Sequence, residues 1–211
     1  MRRLLFMIPL LLLSALITFP AFSADNFEDF QPIHTDMVLN FVYIFEHMDQ
    51  NDKHWQVKLV KNSFPESMTI TWVKKEKNGS ELTGTRILTD LTNSRNFNPW
   101  FKKNETKDTI DTAPWISIQV LRELRDNGKA EKFQEGGTGA INWAPATLTI
   151  KDKVIFPLLI NGKPEAVHAF KLNKGMTVWN NLKNPLVLEY EPLGIPLFTS
   201  ITGWKLISIE Y

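Results

Sequence analysis

KVIFPLLINGKPEAVHAFKLN, residues 153–173, carries two runs rich in β-branched and apolar side chains on either side of a single Asn-Gly pair. Asn161 and Gly162 both tolerate the positive φ that a two-residue hairpin turn demands. The runs 153–160 and 164–173 are therefore expected as strands folded back on one another. So short a connection permits only antiparallel pairing, because a parallel return needs a crossover of about a dozen residues.

The same rhythm extends in both directions. Segments dense in Val, Ile, Thr and aromatic residues alternate with Asn, Asp, Gly and Pro clusters, which predicts strands over 37–48, 54–61, 68–76 and 81–91. Further strands are expected over 129–135, 146–151, 175–180, 185–191 and 203–211. Turns fall at 49–52 and at 77–80, the latter with a second Asn-Gly pair. Along 37–48, Met37, Leu39, Phe41, Tyr43 and Phe45 share one face while Asn40 and Glu46 share the other, as a half-buried strand requires. In the segment 179–190, Trp179 closes one strand, Asn180 to Asn184 turn the chain, and Leu186, Leu188 and Tyr190 share a face opposite Val187 and Glu189.

One segment departs from this pattern. Thr92 to Thr109 is polar apart from Phe97, Trp100 and Phe101, and reads as a long loop pinned by its aromatics. A helix is expected next, with Asp111 or Thr112 as cap, Pro114 in its first turn, and Asn127-Gly128 as a left-handed stop. Ile116, Val120, Leu121 and Leu124 form its apolar stripe. The expected fold is mainly β: an antiparallel meander of about ten strands forming a closed or half-open barrel, with one amphipathic helix packed against it, since a wide open sheet would expose long edges.

The N-terminus adds a destination. Arg2 and Arg3 precede an apolar run from Leu4 to Phe19, and Ala21 and Ser23 supply the small residues of a signal-peptidase site. The expected organisation is a signal peptide over 1–23 and one β-rich domain over 24–211, with the periplasm as its compartment. Without Arg2 and Arg3 the chain has 22 basic against 23 acidic residues, which gives no electrostatic footprint for nucleic acid. Cysteine is absent, so thiol catalysis, thiolate metal sites and disulfides are all excluded.

Each candidate chemistry competes with an ordinary structural role. Ile110-Asp111-Thr112-Ala113 resembles an aspartic-protease loop, but it lacks the preceding apolar strand and reads as a helix cap. His34, His47, His54 and His168 show no ligand spacing for a metal. The glycine-rich run 135–140 lacks the Lys-Ser/Thr of a phosphate loop. No catalytic set, metal site or cofactor is called for. Aromatic side chains remain in surplus, with seven Trp, 14 Phe and three Tyr. Phe41, Phe45, Trp55, Trp72, Phe170 and Trp179 fall on predicted strands, where they either fill the core or line an apolar cavity.

Trp179, the run Asn184-Pro185-Leu186-Val187-Leu188-Glu189-Tyr190, Gly203 and Leu206-Ile207-Ser208-Ile209, together with Trp115-Ile116-Ser117 to Leu124, resemble uncharacterised bacterial exported β-barrel-like proteins of the domain-of-unknown-function kind. That resemblance implies an open or closed antiparallel barrel and brings no catalytic residues. The expected function is non-enzymatic binding of a lipid-like or small apolar ligand, or of a cell-envelope protein. Two alternatives are an outer-membrane barrel ending on Ile207, Ile209 and Tyr211, and a hydrolase using carboxylates such as Glu46 or Glu189.

Overall fold

The computed structural model describes residues 32–44, 54–75, 80–136, 144–191 and 203–211. The expected leader, Phe45 with the end of its strand, the turns 49–52 and 77–79, and most of the glycine-rich run lie outside these residues. In chain order the strands are β1 (Val38–Ile44), β2 (His54–Ser63), β3 (Ser67–Lys75), β4 (Glu81–Thr89), β5 (Asn96–Phe97) and β6 (Thr106–Thr109). After the helix α1 (Ile118–Asn127) come β7 (Lys129–Glu135), β8 (Ala146–Ile160), β9 (Lys163–Leu172), β10 (Met176–Trp179), β11 (Val187–Tyr190) and β12 (Gly203–Glu210).

The 153–173 hairpin forms as its turn dictates. β8 and β9 pair antiparallel from Ile160↔Lys163 to Ile150↔Leu172, around Asn161 at φ 49° and Gly162 at φ 74°. The break expected between 146–151 and 153–160 is instead a register shift between Ile150 and Asp152 inside one strand of 15 residues. A bulge absorbs one extra residue without ending the ladder, so the polar Lys151-Asp152 pair does not become a turn.

Each strand from β8 to β12 pairs antiparallel with its successor, and β12 then meets β8 in parallel through Ser208↔Leu159 and Ile209↔Ile160. Five strands therefore close a ring. β12 has room for this because its inner edge is divided: Trp204 and Lys205 pair with β11, while Ser208 and Ile209 pair with β8. Its outer edge carries β1, and β2, β3 and β4 continue from there as a meander. The sheet ends on β5 beyond β7 at one side and on β6 beyond β4 at the other. The strands thus form a ring with two open wings, not a clean barrel.

Strict antiparallel pairing outside the helical crossover is overturned. β4 and β6 pair in parallel across the loop that joins them, β5 and β7 pair in parallel across the helix, and β12 with β8 is a third parallel contact. The loop 92–109 has the length a crossover needs, and Thr106–Thr109 uses it. That loop is pinned by its aromatics: Phe97 is fully buried and Trp100 and Phe101 pack on the core.

The helix starts later than expected. Its cap is Ser117, whose hydroxyl accepts the Val120 N–H at 3.3 Å. Asp111 and Thr112 serve other partners: Lys107 donates to the Asp111 carboxylate at 3.2 Å, and the Thr112 hydroxyl donates to the Asn96 carbonyl at 3.0 Å. Pro114 lies in the turn before the cap, on a cis peptide bond, and Trp115 bridges to Leu186. The stop is as expected, Gly128 at φ 69° donating its N–H to Leu124. Ile118, Val120, Leu121 and Leu124 are buried, and α1 lies against β7 and β8.

A second bulge alters β11. The register slips between Thr177 and Val178, so Leu186, Val187 and Leu188 are all buried where two alternating faces were expected.

Candidate functional site

Alternation along β1 aims Leu39 and Phe41 into the core, and the register sets Phe41 opposite Trp55 of β2 and Tyr43 opposite Trp204 of β12. Trp204 is in turn opposite Tyr190 of β11. These pairings oblige the rings to meet. Phe41 stacks on Trp55 at 4.4 Å, Trp55 meets Trp204 edge-on at 5.9 Å, and Tyr190 lies 5.9 Å from Trp204. Tyr43 joins at 5.9 Å from Trp55.

The crossover loop supplies the remaining rings. Phe101 sits between Trp55 and Trp72, with centroids 5.0 and 5.7 Å away, and Trp100 packs edge-on against Tyr190 at 6.5 Å. Trp72 lies across Gly84 of the neighbouring strand, where a Cβ would come within 2.5 Å of its indole nitrogen. Gly84 is therefore the residue that admits the ring. Within the cluster, Phe41, Trp55 and Trp204 are fully buried, whereas Tyr43, Trp100 and Phe101 are half-buried and reach the surface.

Pairing places this cluster at one end of the sheet. β1 ends and β12 begins at Ile44↔Gly203, β2 begins at His54 opposite Val42, and Lys74 near the end of β3 is opposite Trp55. β7 ends at Glu135, which accepts a hydrogen bond from the Tyr190 hydroxyl.

The electrostatics of this end are unusual for a core. Arg86 is completely buried, stacks 3.9 Å from the Phe101 centroid, and donates to the Glu105 carboxylate at 2.8 Å. It also donates to the carbonyls of Asn98, at 3.0 Å, and Trp100. Burial pulls its pKa down, and the Glu105 carboxylate opposes that shift. Burial pushes the Tyr43 phenol well above its ordinary value. Tyr190 is raised by burial first and then by the Glu135 carboxylate. The Lys74 ammonium lies 4.7 Å from the Tyr43 ring centroid.

Three donors in the cluster have no acceptor among the described residues: the indole N–H groups of Trp55, Trp72 and Trp204 are buried without a hydrogen-bond partner there. An unmade hydrogen bond at a buried donor costs about 1–3 kcal/mol.

Of the residues singled out by sequence, Phe41, Trp55 and Trp72 are brought together here. Phe170 and Trp179 are not. They are buried on β9 and β10, with Phe170 opposite Val178 and Trp179 opposite Ala169, and no ring contact links them to the cluster among the described residues. Phe45, Glu46 and His47 lie outside the described residues. Tyr190 and Trp204 were expected only as strand residues, and Trp100 and Phe101 only as loop pins. An aromatic pair breaking a polar run was their one sequence signal.

Elsewhere, Glu189 lies opposite Lys205 and accepts from the Thr177 hydroxyl at 3.4 Å. His34 packs on Tyr211 at 5.2 Å. No group of three His, Cys, Asp or Glu side chains is placed to hold a metal among the described residues. The face of β1–β4 and β6 turned away from the core forms a groove of about 640 Å³ with a floor that includes Lys58, Thr71, Thr83, Thr85 and Thr106. No protein-family model, curated protein or solved structure matches the chain.

Proposed function

We propose that the chain is an exported, non-enzymatic binding protein whose aromatic end takes an amphipathic ligand carrying hydrogen-bond acceptors. The observation that carries this is the trio of buried indole donors at Trp55, Trp72 and Trp204, inside one contiguous ring cluster and without an acceptor among the described residues. Apolar ring faces would hold a hydrocarbon portion, and the indole N–H groups would hold its oxygens. Export is supported by Arg2, Arg3 and the apolar run that follows them. The outward positions of β2 include Gln56, Lys58 and Lys61, a pattern suited to water and not to hydrocarbon.

Protein purified without detergent from its native envelope is expected to release a lipid or other amphiphile to mass spectrometry. Titration of the stripped protein with dodecyl maltoside monomer is expected to shift its tryptophan emission, and Trp55→Phe with Trp204→Phe is expected to weaken that response. A ligand-free extract together with unchanged emission rejects the proposal.

A further inference from the structure

The β8–β9 hairpin presents a surface as well as a core face. Residues directly opposite in an antiparallel pair share a side of the sheet, so the register sets Ile155 beside His168, Pro157 beside Ala166 and Leu159 beside Pro164 on one side. Phe156, Leu158, Ile160 and Val167 take the other side and are buried. The first side is open: Ile155 is 56 % and Leu159 43 % exposed, and Pro157, Pro164 and Ala166 are exposed with them. The other exposed large apolar side chains among the described residues, Val60, Ile87, Ile110 and Tyr211, come from four separate segments. A contiguous aliphatic patch turned to water marks an interaction surface.

The charges at its margin are positive. Lys153 follows Ile155 on the same side, Lys151 stands in the adjoining bulge, and Lys163 adjoins the turn, where a long side chain reaches either side. The two acids of the hairpin, Asp152 and Glu165, are opposite Lys171 and Leu158, and so belong to the far side. Across the ring, the neighbour of Leu159 on β12 is the neutral Ser208.

These features select the partner. A two-fold contact with a second copy would bring each lysine margin against its own counterpart. Strand addition is obstructed as well. The pairs Pro157↔Ala166 and Leu159↔Pro164 are two apart and belong to one hydrogen-bonding class, and proline fits only the class whose nitrogen points out of the hairpin. Each outer edge therefore lacks a donor where an incoming strand would need one. The patch also differs from the core of a protein interface: it has no Trp, Tyr or Arg, and its cations are lysines, which such interfaces deplete. Aliphatic side chains edged by ammonium groups match a bilayer surface, where the first enter the headgroup boundary and the second stay with the lipid phosphates.

We infer that this side of the β8–β9 hairpin docks the protein on an anionic lipid surface, with Ile155, Pro157 and Leu159 in the headgroup region and Lys151, Lys153 and Lys163 toward the phosphates. The contact is peripheral, and it is independent of what the aromatic end binds.

Co-sedimentation of protein isolated after export tests this. Binding to phosphatidylcholine vesicles that carry phosphatidylglycerol is expected, weaker on phosphatidylcholine alone and weakened by salt. Ile155→Ser with Leu159→Ser is expected to lower partitioning by about tenfold or more at unchanged thermal stability, since both side chains already face water in the free protein. Lys153→Gln is expected to lower it about fivefold. Because the chain has no cysteine, an environment-sensitive dye can be placed at one site: on Ile155→Cys its emission should shift to the blue with vesicles, and on Val60→Cys, exposed on β2, it should not. No binding to the anionic vesicles, or equal binding by the serine pair, overturns the inference. Loss of binding in Trp55→Phe with Trp204→Phe but not in the serine pair also overturns it, by placing the contact at the aromatic end. Self-association in sedimentation velocity that the serine pair abolishes would assign the patch to a second copy and overturn it likewise.

Discussion

Arg86 shows how one side chain can organise a loop that has little regular structure. Its guanidinium occupies a core position of β4 opposite Ile70 and turns the buried end of that strand into a clamp for Asn98, Trp100 and Glu105. Arg86→Met removes the cation and leaves the Glu105 carboxylate, itself 8 % exposed, without its buried partner. A loss of about 3 kcal/mol in urea unfolding is expected, and Arg86→Met with Glu105→Gln should recover part of it, because the Glu105 carboxylate is then left with only the partly exposed Lys107, 3.2 Å away, to offset its burial. The same scale shows what a sequence reveals of a site. Phe41, Trp55 and Trp72 could be read as inward because alternation fixes the face of each residue on its own strand. The partners that complete their cluster, Phe101, Tyr190 and Trp204, depend on which strands lie side by side, and no local pattern encodes that. Arg86 was hidden for a related reason: a charge in a strand looks solvent-facing until the carboxylate that neutralises it, 19 residues away, is known.

Among the elements, α1 was the easiest to anticipate and the easiest to misplace. Its stripe and its glycine stop are set within a few residues, whereas its start depends on which of Asp111, Thr112 and Ser117 is left free to cap it. Lys107, four residues back, claims Asp111, and Asn96, sixteen back, claims Thr112. Ser117→Ala is expected to lower stability by about 1 kcal/mol, with helical ellipticity reduced, while Asp111→Ala should leave the helix signal unchanged because that carboxylate serves Lys107. An equal loss of ellipticity from both substitutions would return the cap to Asp111. The bulges in β8 and β11 escaped notice because a bulge keeps the composition of a strand and changes only the count of residues facing each partner.

For the whole molecule, closure is the property that composition could announce and topology had to deliver. A chain rich in short strands and without disulfides predicts curvature; that five strands would close while two wings stay open follows from the divided inner edge of β12, a feature with no residue signature. Closure and burial also set how the protein responds to alkali. All three tyrosines are held above the ordinary phenol value of about 10, Tyr211 up to about 12 by burial and Tyr43 and Tyr190 further still. Because each folded value is raised, this stabilisation is complete below about pH 10 and erodes above it, where the unfolded chain ionises and the folded one resists. The urea midpoint should therefore fall between about pH 9 and about pH 11, with tyrosinate absorbance rising in step with unfolding, and Tyr190→Phe should flatten that dependence. One further consequence follows from β1 having β12 as its neighbour, with Asn40 bonded to Ser208 across 168 positions. Translation delivers β12 some 168 positions after β1, so one flank of β1 must wait, bare, until that stretch has been made. A chain cut short of Gly203 would present that flank to its neighbours, which makes the arrival of Gly203–Glu210 the step that covers it.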